Sequence, residues 1–143
     1  MPDAELELVG SWQLAEAKRA SLPASVRHVP ACSREELQQR YQGADVFVFP
    51  SHFEGFGLVI LEAMASGLPI IATEATAAPD ILDDSTGRIV QTGDVDELVE
   101  TLRWFSANRH KLSTMKAAAR ERAEGCTWEA YRQAVADAVA PFV

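Results

Sequence analysis

The segment between Val46 and Ala65 constrains the fold of this chain more than any other. It begins with the continuously apolar run Val46 to Phe49, which Pro50 ends. Such β-branched and aromatic runs are typical of strands that are buried on both faces. A turn with two glycines follows, and then the run Leu58 to Ala65, in which Glu62 is the one polar residue. This order predicts a parallel α/β sheet in which Val46–Phe49 is a central strand.

The remainder of the chain continues the alternation of strands and helices. Two capping boxes, Ser33 with Glu36 and Asp94 with Glu97, mark the starts of helices. The fold class is therefore α/β: a single Rossmann-like domain over residues 1–143, with a parallel sheet of about five strands and helices on both faces. The other predicted strands are Glu5–Gly10, Val26–Val29, Ile70–Thr73 and Arg88–Val90, and the other helices are Trp12–Ala20, Arg34–Tyr41, Asp94–Ser106, Arg109–Glu124 and Trp128–Ala140, with one helical turn at Pro79.

The loop between the strand at 46–49 and the helix at 58–65 is the predicted site of the chemistry. A loop that leaves the carboxyl end of a buried strand and enters a helix through glycines directs free backbone N–H groups at the crevice above it. Such an arrangement suits an anion, most often a phosphate. Gly55 and Gly57 either permit a tight turn with positive φ or allow a ligand to approach the backbone closely.

Two glutamates flank this loop, and each has a structural as well as a functional interpretation. Glu62 lies about 7.5 Å along the axis from the helix start, a depth that suits a carboxylate accepting hydrogen bonds from ligand hydroxyls. It could equally be a polar residue on the solvent side of its helix. Glu54 could bind a ligand or simply stabilise the positive end of the helix dipole. Ser51 could cap the backbone or contact a ligand. His52 could be a general base or a hydrogen-bond donor to a ligand, although a lone loop histidine is more often solvated.

Charge limits the partners that this chain can have. It carries 21 acidic and 13 basic residues, a net charge of −8, which argues against a general nucleic-acid binder. From Tyr41 to Gly87 there is no Lys or Arg, while seven acids lie in this segment. A phosphate bound here would need backbone dipoles and cations from elsewhere.

Several other features have modest interpretations. The basic helix Arg109–Glu124 could rest on an anionic membrane, although a solvated outer face is commoner. Trp104, Phe105 and Trp128 are expected to anchor the C-terminal helices in the core. The two cysteines, Cys32 and Cys126, match no disulfide or metal spacing. They are expected to be free thiols, and no metal site is predicted. With no segment approaching roughly 18 apolar residues, the chain is expected to be cytoplasmic or to lie at the inner face of a membrane.

Taken together, PSHFEGFGLVILEAMASGLPIIAT resembles the E-x7-E signature of the retaining nucleotide-sugar glycosyltransferases of family 4, whose two Rossmann-like halves form the GT-B fold. The resemblance covers nearly the whole chain and implies that residues 1–143 are the C-terminal, donor-binding half. It extends in register to Ala44-Asp45, Pro79-Asp80, Ser85-Thr86-Gly87, Gly93-Asp94 and Thr127-Trp128-Glu129.

The resemblance implies a role for each residue of the motif. Glu62 would bind the ribose hydroxyls of a nucleotide-sugar linked to UDP or GDP. Glu54 would be the catalytic residue, holding the hydroxyls of the transferred hexose near the reacting carbon. No cofactor besides this substrate is implied. Backbone groups of the loop would hold the diphosphate and sugar at Gly55, Phe56, Gly57, Leu58 and Val59.

Two departures from the family pattern concern cations and glycines. The family usually carries an Arg and a Lys on the first strand and helix of this half, and this chain begins after the place of that strand. Ala77-Ala78 also stands where a glycine pair usually precedes the position of Pro79. We therefore expect a piece of a longer polypeptide that lacks the first strand of this half and the N-terminal acceptor domain, and that is inactive alone.

Three other functions stay open at this point. The chain could be a non-catalytic nucleotide-sugar-binding or interaction module. The two glutamates could form a glycosidase pair, which the position of Glu62 within its helix disfavours. A phosphate-receiver domain is disfavoured because Asp45 precedes its strand instead of following it. The sugar, the base, the acceptor and the oligomeric state are not predicted.

Overall fold

A computed structural model describes residues 4–13 and 15–142. They divide into two compact units, one ending at Arg40 and the other beginning at Tyr41. Two short 3-10 turns accompany the helices, at Arg109–Lys111 and Ala140–Phe142. The elements in chain order are β1 (Leu6–Val9), α1 (Glu16–Ala20), β2 (Val26–Val29), α2 (Arg34–Gly43), β3 (Phe47–Phe49), α3 (Leu58–Ala65), β4 (Ile70–Thr73), α4 (Ala78–Ile81), β5 (Gly87–Val90), α5 (Val95–Ala107), α6 (Leu112–Glu124) and α7 (Trp128–Val139).

In the first unit, β1 and β2 form a two-stranded parallel ladder in which Leu6 lies opposite Val26. The predicted capping box at the start of α2 is confirmed in both directions. The backbone N–H of Ser33 donates to the Glu36 carboxylate at 2.8 Å, and the N–H of Glu36 donates to the Ser33 hydroxyl at 3.2 Å. The predicted helix Trp12–Ala20 is shorter than expected and begins at Glu16, with residue 14 outside the described residues.

In the second unit, β3, β4 and β5 form a three-stranded parallel sheet with β4 in the middle. All four residues of β4 are buried, whereas the residues of β3 are only partly buried. Among the described residues β3 lies at the edge of this sheet, so the prediction that Val46–Phe49 is a central strand is wrong for the sheet they form. The predicted single sheet of about five strands is likewise replaced, in the described residues, by parallel sheets of two and three strands.

The core of the second unit is built from the sheet and the helices that follow it. Phe105 on α5 is buried there, as predicted, and Trp104 packs against the same cluster. Trp128 contradicts the prediction, since 69% of its surface is exposed. The buried cluster consists of Ile71, Val90, Phe105, Leu112 and Met115.

The later helices begin at the predicted caps. The Asp94 carboxylate accepts the N–H of Glu97 at 2.9 Å, and the Thr127 hydroxyl accepts the N–H of Ala130 at 3.1 Å. The second capping box is only half formed, because the Glu97 carboxylate accepts the N–H of Gln91 at 2.6 Å instead of that of Asp94. Within the described part of the chain, no helix has the length and apolarity needed to cross a bilayer.

Candidate functional site

Strand direction collects three loops of the second unit at one edge of its sheet. Because β3, β4 and β5 are parallel, the segments that follow them meet at the same edge. We call residues 50–57, 74–77 and 91–94 together the carboxyl edge. Doubly wound folds bind ligands at this edge, so the predicted loop lies where the fold class expects a site.

Hydrogen bonds between the loops fix the shape of the carboxyl edge. The Thr73 hydroxyl donates to the carbonyl of Ser51 at 2.5 Å, and the N–H of Ala77 donates to the carbonyl of Phe56 at 3.0 Å. Both bonds tie the loop after β3 to the end of β4 and the segment beyond it. The entrance to α3 is therefore held by its neighbours as well as by its own sequence.

Gly57 is the residue that sets the entrance to α3. It is the N-cap and has the left-handed conformation, with φ 81° and ψ 55°. An added Cβ would lie 3.2 Å from the Phe49 ring, 3.3 Å from the Glu54 side chain and 3.4 Å from Ile60. Gly55 differs, because nothing lies within 4 Å of the position of its Cβ. Gly57 is thus required by the backbone, whereas Gly55 leaves open space.

The start of α3 presents backbone donors. The N–H of Ile60 donates to the carbonyl of Gly57 at 2.8 Å. Just before it, four successive N–H groups make no hydrogen bond with any residue that the structure describes. Together with the positive end of the helix dipole, they can bind an anion. These are the N–H groups of Phe56, Gly57, Leu58 and Val59.

The Glu54 carboxylate lies at the same helix start. It accepts the N–H of the next residue, Gly55, at 3.1 Å, and its side chain borders Gly57. The residue is only partly buried, so its carboxylate stays accessible to a ligand at the helix start. This position suits both interpretations, a dipole-stabilising acid and a ligand-binding one.

Glu62 is exposed and lies on the solvent side of α3. The buried face of α3 is formed by Ile60, Ala63 and Met64, whereas Glu62 shares the solvent face with Leu58. Residues four apart lie one above the other on a helix, so the Glu62 side chain is on the same face as the first residue of α3. A ligand at the helix start could extend along this face to reach it.

Ser51 and His52 differ in what they do in the loop. The Ser51 hydroxyl donates to the carbonyl of Phe53 at 3.0 Å and so caps the backbone, one of its two predicted roles. His52 is exposed, and its ring lies 3.5 Å from the position where a Cβ of Gly93 would be. His52 thus borders the loop after β5.

Sequence reasoning did not identify Glu74 as part of this edge. Its carboxylate accepts the N–H of Thr92 at 2.9 Å, which joins the loops after β4 and β5. This backbone hydrogen bond holds the pKa of Glu74 below its usual value. The available signal was its position directly after the strand that ends at Thr73.

The opposite edge of the sheet uses charged residues for structure. We call residues 44–46, 66–69 and 82–86, which precede the three strands, the amino edge. Asp45 pairs with Arg109 at 3.3 Å and with Lys116 at 3.4 Å, and Asp84 pairs with Arg88 at 2.7 Å. At least two of the seven acids between residues 41 and 87 therefore lie away from the carboxyl edge.

Helix α6 supplies cations to this amino edge. Lys116 donates to the carbonyl of Ala44 at 2.8 Å, and Arg122 donates to the carbonyl of Ile81 at 3.0 Å. These carbonyls lie at or just beyond helix C-termini, where cations are favourable. The basic residues of α6 thus hold neighbouring elements, a function that neither the solvated-face nor the membrane interpretation included.

A surface depression of about 410 Å³ also lies at the amino edge. The Arg88 guanidinium and the Lys111 ammonium lie 4.4 and 5.1 Å from the centre of the Trp104 ring that lines it. No residue of the predicted site lines this depression. Among the described residues, no group of three or more His, Cys, Asp or Glu is placed to hold a metal ion.

Comparison with known proteins identifies the relatives of this chain. The family model for glycosyl transferases group 1 matches residues 1–122. The chain is 43% identical over 100 residues to the sulfoquinovosyl transferase of Arabidopsis thaliana, an alignment that covers 67% of this chain and 20% of that protein.

Solved structures show the same fold. Sucrose-phosphate synthase from Thermosynechococcus elongatus matches with a TM-score of 0.76 and 29% identity, over 93% of this chain and 39% of that one. HepE of Anabaena, in complex with UDP, matches with a TM-score of 0.77 and 22% identity, over 99% of this chain and 42% of that one. These matches confirm the predicted GT-B fold class. The chain spans between 20% and 42% of the length of these three relatives.

Proposed function

This chain belongs to the family of glycosyl transferases group 1, and we propose that it is the donor-binding half of a longer enzyme that transfers a hexosyl group from a UDP- or GDP-linked sugar to an acceptor with retention. The observation that carries the proposal is the row of N–H groups from Phe56 to Val59, which bind no described residue. They lie at the carboxyl edge of a parallel sheet, the place where this fold class binds nucleotides.

The diphosphate of the donor would lie at the start of α3. Its oxygens would accept hydrogen bonds from the row of N–H groups, and the helix dipole would stabilise its charge. The open space at Gly55 would let the ligand approach the backbone. The ribose would extend along the solvent face of α3, where the exposed Glu62 carboxylate accepts hydrogen bonds from its hydroxyls.

Glu54 would contact the transferred sugar. Its carboxylate already lies at the helix start beside Gly57, so hydroxyls of a sugar attached to the diphosphate would come within its reach. Catalysis would then rest on positioning and on stabilising the leaving diphosphate. His52 borders the loop after β5. Ser51 would act by shaping its own loop, since its hydroxyl already donates to the carbonyl of Phe53.

The cations for the diphosphate would come from residues outside this chain. Between Tyr41 and Gly87 there is no Lys or Arg, and the cations of α6 that the structure places beside the strands lie at the amino edge. Among the described residues, β3 has a hydrogen-bonded neighbour, β4, along one edge and none along its other edge. A further parallel strand along its second side would lead into a helix at the carboxyl edge, where it could deliver an Arg and a Lys.

The acceptor site would likewise belong to the part of the longer enzyme that this chain does not include. The isolated chain should therefore bind a nucleoside diphosphate weakly, with a dissociation constant on the order of 1 mM, and transfer no sugar. Robust sugar transfer by these 143 residues alone would contradict this account. If the longer polypeptide also binds the donor and transfers no sugar, the alternative is a non-catalytic nucleotide-sugar-binding module.

Calorimetry with UDP and with GDP tests the site. Replacement of Glu62 by Ala should weaken binding at least about 10-fold, because the ribose hydroxyls lose a charged acceptor. Glu121→Ala is the matched control, since it removes an exposed helical glutamate from α6. Equal affinities for the wild type and both variants would place the nucleotide elsewhere.

A further inference from the structure

The peptide between Phe56 and Gly57 is oriented by a hydrogen bond from outside its own loop. The N–H of Ala77 donates to the carbonyl of Phe56 at 3.0 Å. The peptide is trans, so its carbonyl and its N–H point in opposite directions. Fixing the carbonyl of Phe56 therefore also fixes the direction of the Gly57 N–H, which belongs to the row of open donors at the start of α3.

The segment that supplies this N–H, which we call the 73–78 turn, is closed by its own hydrogen bonds. The carbonyl of Thr73 accepts the hydroxyl of Thr76 at 2.8 Å and its N–H at 3.3 Å. The Thr76 hydroxyl in turn accepts the N–H of Ala78 at 3.1 Å. These bonds lie on both sides of Ala77 in the chain. The position of the Ala77 N–H therefore depends on whatever holds the turn as a whole.

Glu74 attaches the 73–78 turn to the loop after β5. Its carboxylate accepts the N–H of Thr92 at 2.9 Å. This backbone hydrogen bond holds the pKa of Glu74 below its usual value, so the carboxylate is ionised at neutral pH and the bond is charge-assisted. The loop after β5 is itself held by α5, because the Glu97 carboxylate accepts the N–H of Gln91 at 2.6 Å. Glu74 thus joins the turn to a loop that is already fixed.

We propose that Glu74 is a positioning residue for donor binding, which holds the turn so that Ala77 keeps the Gly57 N–H directed at the diphosphate. The identity of the ligand in this proposal rests on the proposed function. Glu74 acts through the turn and makes no contact with the donor. Donors that are already oriented bind an anion without the entropy cost of ordering their loop. Loss of the Glu74 hydrogen bond should therefore weaken nucleotide binding, although Glu74 has the same sign of charge as the nucleotide.

Two substitutions of Glu74, which is exposed, separate its hydrogen bond from its charge. Glu74→Ala and Glu74→Gln each remove one negative charge, which alone should strengthen the binding of an anion. Glu74→Gln keeps a side-chain oxygen that can accept the N–H of Thr92, whereas Glu74→Ala keeps none. In calorimetry with UDP, and separately with GDP, Glu74→Ala should bind about 5-fold more weakly than the wild type. Glu74→Gln should bind at least as tightly as the wild type.

Glu97→Ala is the matched control for Glu74→Ala. It also removes one carboxylate that accepts a backbone N–H of the loop after β5, but it leaves the bond between Glu74 and Thr92 in place. Its affinity for UDP should stay within about 2-fold of that of the wild type. Equal losses of affinity in Glu74→Ala and Glu97→Ala would overturn the positioning role. An affinity of Glu74→Ala no lower than that of Glu74→Gln would overturn it as well.

Amide hydrogen exchange, followed by NMR, tests the positioning role without a nucleotide. The N–H of Ala77 should exchange about 10-fold faster in Glu74→Ala than in the wild type, because its bond to Phe56 opens more often. Its exchange should be unchanged in Glu74→Gln and in Glu97→Ala. Unchanged exchange in Glu74→Ala would overturn the inference. If the wild type bound neither UDP nor GDP while exchange at Ala77 changed as expected, the donor site would be wrong and the link between Glu74 and Ala77 would be supported.

Discussion

The amino and carboxyl edges of the three-stranded sheet use their polar groups differently. At the amino edge, Asp45 and Asp84 are paired with cations, and Lys116 and Arg122 donate to carbonyls that follow helices. At the carboxyl edge, the N–H groups from Phe56 to Val59 bind no described residue. Both edges belong to the same sheet, but the open row of N–H groups lies at the carboxyl edge.

This difference shows where a ligand can contribute binding energy. A group that is already hydrogen-bonded gains little from a ligand, whereas an open backbone donor at a helix start gains a partner. The basic helix α6 has the charge that suits a phosphate but uses several of its cations to hold the amino edge. The carboxyl edge has the geometry for a phosphate and lacks the cations.

The largest expected effect is next to the amino edge, where Gly87 begins β5. The Cβ of Ala at this position would collide with the carbonyl oxygen of Ile70 and lie 3.1 Å from its carbonyl carbon, both of which are backbone atoms of β4. Gly87→Ala should therefore lower the free energy of unfolding by at least about 3 kcal/mol. Urea denaturation measures this change.

Gly43→Ala is the matched control for this substitution, because nothing lies within 4 Å of the position of its Cβ. It should be neutral or slightly stabilising, since Gly43 lies at the end of α2. If Gly87→Ala proved as stable as Gly43→Ala, the close approach of β5 to β4 would be wrong.

At the carboxyl edge, Gly57→Ala should have a smaller effect on stability and an additional effect on binding. The left-handed conformation costs Ala about 1–2 kcal/mol, which should appear in the free energy of unfolding. Relief of this strain would rotate the N–H groups at the start of α3, so UDP affinity should fall about 10-fold. Gly55→Ala, in open space, should change stability little. Loss of stability with unchanged affinity would separate Gly57 from the site.

Replacing Arg122 by Met should lower stability alone. Its guanidinium donates to the carbonyls of Ile81 and Asp80, each at 3.0 Å, and loss of these bonds should cost about 1 kcal/mol. Arg103→Met removes an exposed cation from α5 and serves as the control in thermal unfolding. UDP affinity should stay the same in both variants. A clear loss of affinity in Arg122→Met would remove the distinction between the two edges.

The smallest expected effect concerns pH at the amino edge. The hydroxyl and N–H of Ser85, with the N–H of Thr86, hold the pKa of Asp83 below its usual value. A lowered pKa stabilises the fold above the pKa of the unfolded state, about 3.9, and this contribution is lost as the pH falls through the folded value. The melting temperature of Asp83→Asn should therefore be lower than that of the wild type at pH 7. The gap should close at low pH, and a gap that widened on acidification would contradict the assignment.

Local signals explain what the sequence could predict. The bounds of β2, α3 and β4 agree with the predicted ones, because turn residues, caps and apolar runs act within a few positions of each other. The caps at Asp94 and Thr127 were predictable for the same reason. The loop before α3 was predictable as a candidate site from its glycines and its place after an apolar strand.

What could not be predicted depends on distant residues. Apolar content indicates that a strand is covered on its faces but not which edges are paired, so the edge position of β3 was not predictable. The pairing of Asp45 with Arg109 joins residues 64 positions apart. Trp128 was expected to anchor a helix in the core, yet the structure leaves 69% of its surface exposed.

The central claim is that the carboxyl edge, and not the amino edge, is the nucleotide site. An NMR titration of the ¹⁵N-labelled chain with UDP, and separately with GDP, tests this most directly. The account predicts saturable shifts of the amides from Phe56 to Val59, with smaller changes at Glu62 and the loops beside them. Shifts confined to the depression around Arg88 and Lys111, or no saturable shifts with either nucleotide up to about ten times the expected millimolar dissociation constant, would contradict it.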